Sequence, residues 1–169
     1  MNRPSIFSRL IHVITFLFRN HPHKISVHGT SAQVEPLADG VEIFHRGWGT
    51  EVHGASGQFV WIHFAIPVPL LVDDVRPAVT SVYFHFAAEG NASLRQIHLY
   101  DGKTRFHTLE THRDGDFTQA LVLDVNKIEV IRSLRTALGI SLGFQLTQSI
   151  SGGSSSNVHV VSAGAEYIT

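Results

Sequence analysis

Alternation of apolar and polar residues at every second position is the feature of this sequence that most narrows its fold. The clearest run covers residues 140–146, where Ser, Gly and Gln alternate with Ile140, Leu142, Phe144 and Leu146. Such a run predicts a strand with one buried and one exposed face. Residues 82–87, 96–100 and 158–168 carry further strand patterns, and glycine- and aspartate-rich turns separate the runs. This organisation predicts an all-β domain, either a sandwich or a barrel.

Two segments add detail to this prediction. Asp101 and Gly102 stand between two strand patterns and predict a tight hairpin, because both residue types accept the positive φ angles of such a turn. Residues 59–66 are apolar at both parities, which predicts a central strand covered on both faces. We therefore assign Trp61 to the core.

Residues 126–139 interrupt the alternation. Asn126 and Glu129 are spaced as a capping box, and Gly139 is placed to end a helix. Apolar residues recur between them at helical spacing, namely Val130, Ile131, Leu134, Ala137 and Leu138. The pattern predicts one short crossover helix between two strands. Such a connection favours a jelly-roll-like β-sandwich over residues 25–169.

Residues 1–24 differ from the rest, because they contain four basic residues and no acid. Their apolar run is shorter than the ~20 residues that cross a bilayer. We predict an apolar helix that ends at Pro22 and docks on a neighbouring subunit. The residues that would make this contact are Leu10, Ile11, Ile14, Phe16, Leu17 and Phe18. Packing on the domain itself, binding to a membrane surface and a mitochondrial presequence are the alternatives.

Composition excludes several classes of protein. The 169 residues contain no cysteine, so disulfides and thiolate chemistry are absent. A net charge of −1 provides no basic surface for nucleic acid. Charged residues make up only 16% of the chain, against ~25% in typical domains, which favours a homo-oligomer. Protonation of all 12 histidines would move the net charge from −1 to +11 (−1 + 12), so an assembly would respond to acid.

No motif identifies a catalytic residue, a cofactor or a metal site. His85 and His98 share the polar parity of two consecutive runs, so they would either converge on a metal or lie as surface histidines across two strands. The acidic pairs in the loops, Asp73 with Asp74 and Asp114 with Asp116, suit either calcium or plain turn chemistry. We predict a protein without catalytic activity.

The aromatic residues provide the best indication of a ligand. Trp48 stands between Gly47 and Gly49, a context typical of a loop or a strand edge. An exposed tryptophan on a sandwich is able to stack on a sugar ring, and Tyr83 and Tyr100 are candidates to join it. A tryptophan buried in the core or in a subunit interface is the competing interpretation.

Several stretches together resemble a family of uncharacterised small bacterial β-sandwich proteins. The resemblance covers residues 25–169 and implies a sandwich, but no substrate, cofactor or catalytic residue. It is carried by Val27-His28-Gly29-Thr30 with Val34-Glu35, Arg46-Gly47-Trp48-Gly49-Thr50, Trp61-Ile62-His63-Phe64-Ala65-Ile66-Pro67, Asp73-Asp74-Val75-Arg76-Pro77 and Ile97-His98-Leu99-Tyr100-Asp101-Gly102.

Three functional hypotheses follow, and none of them specifies a cellular compartment. The first is a subunit that self-assembles, or docks on a partner, through its N-terminal helix. The alternative is a carbohydrate-binding, lectin-like module that uses Trp48, Tyr83 and Tyr100. The third is a metal-dependent enzyme on a β-barrel, which the missing ligand pattern disfavours.

Overall fold

The computed structural model describes residues 22–36, 39–55, 57–89, 92–114, 127–146 and 156–169, in which two antiparallel sheets form a sandwich. The first sheet contains β1 (His23–His28), β3 (Glu42–Arg46), β4 (Gly49–Gly54), β6 (Ala78–Glu89), β9 (Lys127–Ser133) and β11 (Ser156–Ile168). The second sheet contains β2 (Gln33–Pro36), β5 (Phe59–Ile66), β7 (Ser93–Asp101), β8 (Thr104–Asp114) and β10 (Leu138–Gln145). One 3-10 turn, Gly29–Ser31, connects β1 to β2. The all-β prediction is confirmed.

The strand order shows how the chain winds between the sheets. The first sheet has the order β3-β4-β11-β6-β9, with β1 also paired to β11, and the second has the order β2-β5-β10-β7-β8. Eight of the ten connections between consecutive described strands pass from one sheet to the other, and only β3 to β4 and β7 to β8 stay within one sheet. In the second sheet β10 lies in the centre, between β5 and β7.

The hydrophobic core fills the space between the sheets. Phe86 of β6 meets Phe144 of β10 with ring centroids 5.2 Å apart and an edge-to-face angle of 70°, a favourable arrangement for aromatic pairs. Ile140 and Leu142 of β10 are fully buried in the same core. The strand predicted from alternation at residues 140–146 is thereby confirmed.

The predicted hairpin is also confirmed, and it is very tight. β7 pairs with β8 directly at Asp101 and Thr104, so that only Gly102 and Lys103 form the loop. Gly102 has a φ of 58°. A glycine with positive φ at the first position of a two-residue loop matches the twist of the flanking strands.

The predicted crossover helix is wrong. Residues 127–133 form β9, an edge strand of the first sheet that pairs with β6. Val79 pairs with Arg132 and Ser81 with Glu129, so β9 carries one extra residue at this point. A bulge of this kind breaks the two-residue period and leaves apolar residues at spacings that mimic a helix. Gly139, the proposed helix cap, lies within β10.

The assignment of Trp61 to the core is wrong, because its side chain lies on the outer face of β5. One row of its side chains is buried between the sheets, including Val60, Ile62 and Phe64. The other row contains Trp61 and His63, which are half-buried on the face directed away from the first sheet. The apolar character of this second row comes from aromatic rings on the outside of the sandwich.

The N-terminal helix, with its contact residues 10–18, lies outside the described residues, and its docking role stays a prediction. Within the described ranges no helix is long and apolar enough to cross a membrane.

Candidate functional site

A trough runs along β10 on the outer face of the second sheet. The outward residues of β10 are small, namely Gly139, Ser141 and Gly143, whereas the strands on both sides place rings next to them. Four residue steps of a strand make this row about 13 Å long. A depression of about 240 Å³ lies in the trough and is lined by Glu35, Trp61, His63, His98, Tyr100 and Ser141.

The indole of Trp61 leans across the trough because Gly143 leaves room for it. A Cβ atom at position 143 would lie 2.9 Å from the Trp61 ring and 2.7 Å from the Phe59 ring. On the far side the Trp61 ring meets the ring of His98, with centroids 4.6 Å apart. Because Gly143 has no side chain, the Trp61 indole, the largest ring of the depression, is able to lie over β10.

His63 is held by partners at both ring nitrogens. Its Nδ1 lies 2.8 Å from the Ser141 hydroxyl and its Nε2 lies 3.1 Å from the Glu35 carboxylate. If Nε2 carries the proton and donates to Glu35, Nδ1 accepts the hydrogen bond of the Ser141 hydroxyl. The Glu35 side chain is 61% exposed, so its carboxylate also faces solvent and is able to accept hydrogen bonds from a ligand.

His98 lies on the opposite side of the trough in a more buried position. Its Nδ1 is 3.4 Å from the Tyr100 hydroxyl, and its Nε2 is 3.5 Å from Nη1 of Arg105. Burial lowers the pKa of His98, and the positive charge of Arg105 lowers it further. The imidazole is therefore neutral at pH 7 and has both a donor and an acceptor nitrogen.

The lining of the depression suits the recognition of a small polar ligand. It combines aromatic faces with hydroxyl, imidazole and carboxylate groups, the mixture that orients a small polar ligand. Among the lining residues Glu35 is the sole carboxylate, whereas most glycoside hydrolases use two.

Only one of the three aromatic residues expected at a binding site lies here. Tyr100 lines the depression, but Trp48 and Tyr83 belong to the first sheet and its turns. Trp48 follows β3 and is 43% exposed, and its ring lies 5.2 Å from that of His159. The hydroxyl of Tyr83 donates to the carbonyl of Ile25 at 3.0 Å. The structure therefore does not bring Trp48, Tyr83 and Tyr100 together.

The histidines considered for a metal are also separated. His85 lies on β6, where Nδ1 is 2.6 Å from the Ser162 hydroxyl and burial lowers its pKa. His98 lies on β7 in the other sheet, so the two do not converge. In the described parts of the chain no group of three or more His, Asp or Glu side chains is placed to hold a metal ion.

The acidic pair at Asp73 and Asp74 forms a turn. Both residues have positive φ, at 49° and 62°, and Val72 and Val75 exchange backbone hydrogen bonds of 2.9 Å around them. Asp is one of the few residue types that tolerate this conformation. Asp114 is described only in its backbone, and Asp116 lies outside the described residues.

The outer face of the first sheet contains an ion-pair network. The carboxylate of Glu166 lies 2.8 Å from the ammonium group of Lys24 and 2.9 Å from that of Lys127. It also accepts a hydrogen bond of 2.9 Å from the Ser81 hydroxyl. Lys24 first, and then Lys127 and Ser81, lower the pKa of Glu166 to about 2. These contacts link β1, β6, β9 and β11, which gives the network a structural role.

Sequence reasoning missed Trp61, His63 and Glu35 as site residues. A usable signal was present, because Trp61 and His63 share one parity of β5 and the small residues of β10 lie at Ser141 and Gly143. Large rings on one strand and small residues on its neighbour indicate a groove only once the two strands are known to pair.

Comparisons with known proteins identify a family and a similar fold. The sequence model of a family of unknown function, DUF6623, matches residues 21–169. A comparison with curated proteins found no match. Among solved structures, the fold is similar to a family 61 carbohydrate-binding module in complex with β-1,4-galactotriose, with a TM-score of 0.50, 11% identity, and coverage of 83% of this chain and 90% of that chain.

The fold is also similar to a low-affinity xylan-binding module of family 86 from Roseburia intestinalis. The TM-score is 0.47 and the identity 14%, over 86% of this chain and 96% of that chain. At these identities the similarity extends to the sandwich fold alone.

Proposed function

The chain belongs to the DUF6623 family, and we propose that it is a carbohydrate-binding domain that holds a glycan in the trough along β10. The observation that carries this proposal is the position of Trp61. Its large aromatic ring lies outside the core, next to a depression lined by hydroxyl, imidazole and carboxylate groups.

The chemistry of a sugar matches this lining. One face of a pyranose presents C–H groups that pack on an aromatic ring, while its hydroxyls donate and accept hydrogen bonds at the rim. Trp61 supplies the aromatic surface. Glu35 accepts hydrogen bonds, and the Tyr100 hydroxyl both donates and accepts them.

The size and openness of the site support a polymer rather than an enclosed metabolite. The depression of about 240 Å³ is smaller than the ~300–1,000 Å³ of typical small-molecule pockets. A trough on a sheet face leaves both ends of a bound chain free to continue. The family 61 module with a similar fold was solved with a galactotriose, which makes galactans a sensible first probe.

The proposed role is non-catalytic. Glu35, the sole carboxylate of the lining, would bind a sugar hydroxyl and would not act as one of an acid–base pair.

The jelly-roll arrangement is part of the proposal. It is supported by the way in which consecutive strands alternate between the two sheets along most of the chain.

A matched pair of tryptophan variants tests the proposal. Glycan-array screening followed by calorimetry would compare the wild type with Trp61→Ala and with Trp48→Ala, which removes the same ring from the other sheet. We expect Trp61→Ala to weaken glycan binding more than about tenfold, a loss of ~1.4 kcal/mol, and Trp48→Ala to retain it. Glu35→Gln, an exposed change that leaves the fold intact, should also weaken binding.

Trp48 defines a second candidate surface. Its 43% exposure and its contact with His159 suit a sugar on the outside of the first sheet. Loss of binding in Trp48→Ala but not in Trp61→Ala would transfer the site to that surface. No binding to any glycan by the wild type would end the carbohydrate proposal.

Self-assembly through residues 1–24 stays a separate prediction. Light scattering of the full chain and of a chain that begins at Ile25 would test it, at pH 7.5 and 5.5. An equal number of subunits in both assemblies would contradict a docking role for Leu10, Ile14 and Phe18, and a loss of subunits at the lower pH would implicate the histidines.

A further inference from the structure

A groove rich in arginine lies at the edge of the sandwich where β9 leads into β10. Its volume is about 690 Å³, and it is lined by Arg76, Ile131, Arg132, Ser133 and Arg135. Three of these five residues carry a guanidinium group, and none carries a carboxylate. Three like charges around one cavity repel one another unless an anion lies between them.

Contacts with other parts of the fold hold the guanidinium groups of Arg76 and Arg132 and the backbone of Arg135. Nη1 of Arg76 donates to the carbonyl of Leu134. The guanidinium of Arg132 lies over the Phe106 ring, 5.4 Å from its centroid. The backbone amide of Arg135 donates to the Asp101 carboxylate. These contacts restrict the arginines without neutralising a single guanidinium charge.

Three other cationic side chains of the described structure behave differently. Lys24, Arg46 and Lys127 each form an ion pair with a glutamate at 2.8 to 3.1 Å. The three arginines of the groove form no ion pair within the described residues. Their charge therefore remains available for a ligand.

The arginine groove lies near one end of the trough along β10, although the two share no lining residue. Asp101, which holds Arg135, directly follows Tyr100 of the depression. β10 itself begins three residues after Arg135, so the trough leads towards the arginines at its Gly139 end. Arg105 pairs with Tyr100 in the β7–β8 ladder and adds a further positive charge at this end.

We infer that the glycan is anionic and that the guanidinium groups of Arg76, Arg132 and Arg135 bind its carboxylates or sulfates. This inference rests on the proposed function and specifies its ligand class. Guanidinium groups bind such oxyanions through paired hydrogen bonds, which a neutral sugar does not offer. Ile131, whose side chain is 90% exposed beside the arginines, provides an apolar surface for the sugar that carries the acid.

Two matched polymer pairs test the charge requirement. Polygalacturonate is compared with its methyl ester, in which the carboxyl groups are esterified and uncharged, and carrageenan, a sulfated galactan, with its desulfated form, which carries no charge. Affinity electrophoresis and calorimetry would be run on the wild-type full chain and on Arg132→Gln/Arg135→Gln. Lys103→Gln, which removes an exposed charge of the β7–β8 loop, is the control, and Arg135→Gln alone covers the case in which the double variant does not fold.

We expect at least one charged polymer to bind more than tenfold tighter than its uncharged partner. The arginine variants should erase this difference and keep the affinity for the uncharged polymer, whereas Lys103→Gln should keep both. Trp61→Ala should weaken all four polymers.

Other results would overturn the inference in distinguishable ways. Equal binding of charged and uncharged polymers, unaffected by the arginine variants, would overturn it and leave the carbohydrate proposal intact. No binding to any polymer or array glycan would remove both. Binding to phosphatidylserine vesicles that requires the arginines, without preference for charged glycans, would assign the groove to lipid headgroups instead.

Discussion

Both carboxylate oxygens of Asp101 accept the backbone amide of Arg135, at 3.0 and 2.9 Å. The amide and the hydroxyl of Thr136 add two further hydrogen bonds, at 2.8 and 2.9 Å. Burial alone would raise the pKa of Asp101, but the hydrogen bonds outweigh it and lower the pKa. The end of β7 is thereby tied to the segment that crosses from the first sheet to the second.

Replacing Asp101 should destabilise the fold. We expect Asp101→Ala to lower the free energy of unfolding by about 2 kcal/mol, because it leaves two part-buried backbone amides without their charged acceptor. Asp101→Asn retains one oxygen and should cost less. Urea denaturation at pH 7 measures both. Asp39→Ala, an exposed aspartate in another turn, is the control, and an equal loss in Asp39→Ala and Asp101→Ala would contradict the expectation.

Two glycines of β10 should respond differently to a methyl group. Gly143→Ala would place Cβ 2.7 Å from Phe59 and 2.9 Å from Trp61, whereas Gly139→Ala would place it 3.4 Å from Tyr100, an ordinary contact. We expect Gly143→Ala to cost about 1–3 kcal/mol of stability and to weaken glycan binding by displacing the indole. Thermal unfolding and calorimetry would compare the two variants, and similar behaviour would argue against the close fit of Trp61 on β10.

Glu166 should dominate the loss of stability in acid. Its pKa is lowered from 4.5 to about 2, chiefly by Lys24. A lowered carboxyl pKa stabilises the folded state above pH 4.5, and this contribution of about 3 kcal/mol disappears as the pH falls from 4.5 towards 2. Between pH 4.5 and 2 the free energy of unfolding, measured by denaturation, should fall less steeply with pH in Glu166→Gln than in the wild type. Glu129 is the 73% exposed partner of Lys127, and Glu129→Gln should show nearly the same pH dependence as the wild type.

His98 should produce a second, weaker acid response. Burial and then Arg105 lower its pKa below 6.5, so the unfolded chain takes up a proton before the folded chain does. Stability that is complete above pH 6.5 is therefore lost as the pH falls below it. Urea denaturation at pH 7.5 and 5.5 should show a smaller difference for His98→Gln than for the wild type. His28→Gln, at an exposed position, should keep the wild-type difference.

Local patterns predicted much of the sandwich. The alternation in residues 140–146 predicted β10 and its buried row, and the Asp101-Gly102 pair predicted the hairpin. Both signals depend on neighbouring residues only, since a strand has a two-residue period and a tight turn needs a glycine with positive φ. The same local logic failed at β9, where the extra residue opposite Val79 and Ser81 disturbed the period.

The candidate site required information that no local pattern contains. Tyr100 was predicted, but its partners Trp61 and His63 were not, because the neighbour of each strand in the sheet determines what lies beside a ring. The grouping of Trp48 and Tyr83 with Tyr100 failed for the same reason, since consecutive strands β6 and β7 belong to opposite sheets.

The sequence by itself therefore determined the all-β class, the strand at residues 140–146 and the β7–β8 hairpin, because each depends on interactions between residues close along the chain. Only the tertiary structure decided that Trp61 lies outside the core, over Gly143, and that Arg76 and Arg135 share one groove. These relationships join residues about 60 to 80 positions apart. Backbone hydrogen bonds between paired strands bring these residues together. Because every residue type has the same backbone, the order of side chains does not reveal which strands pair.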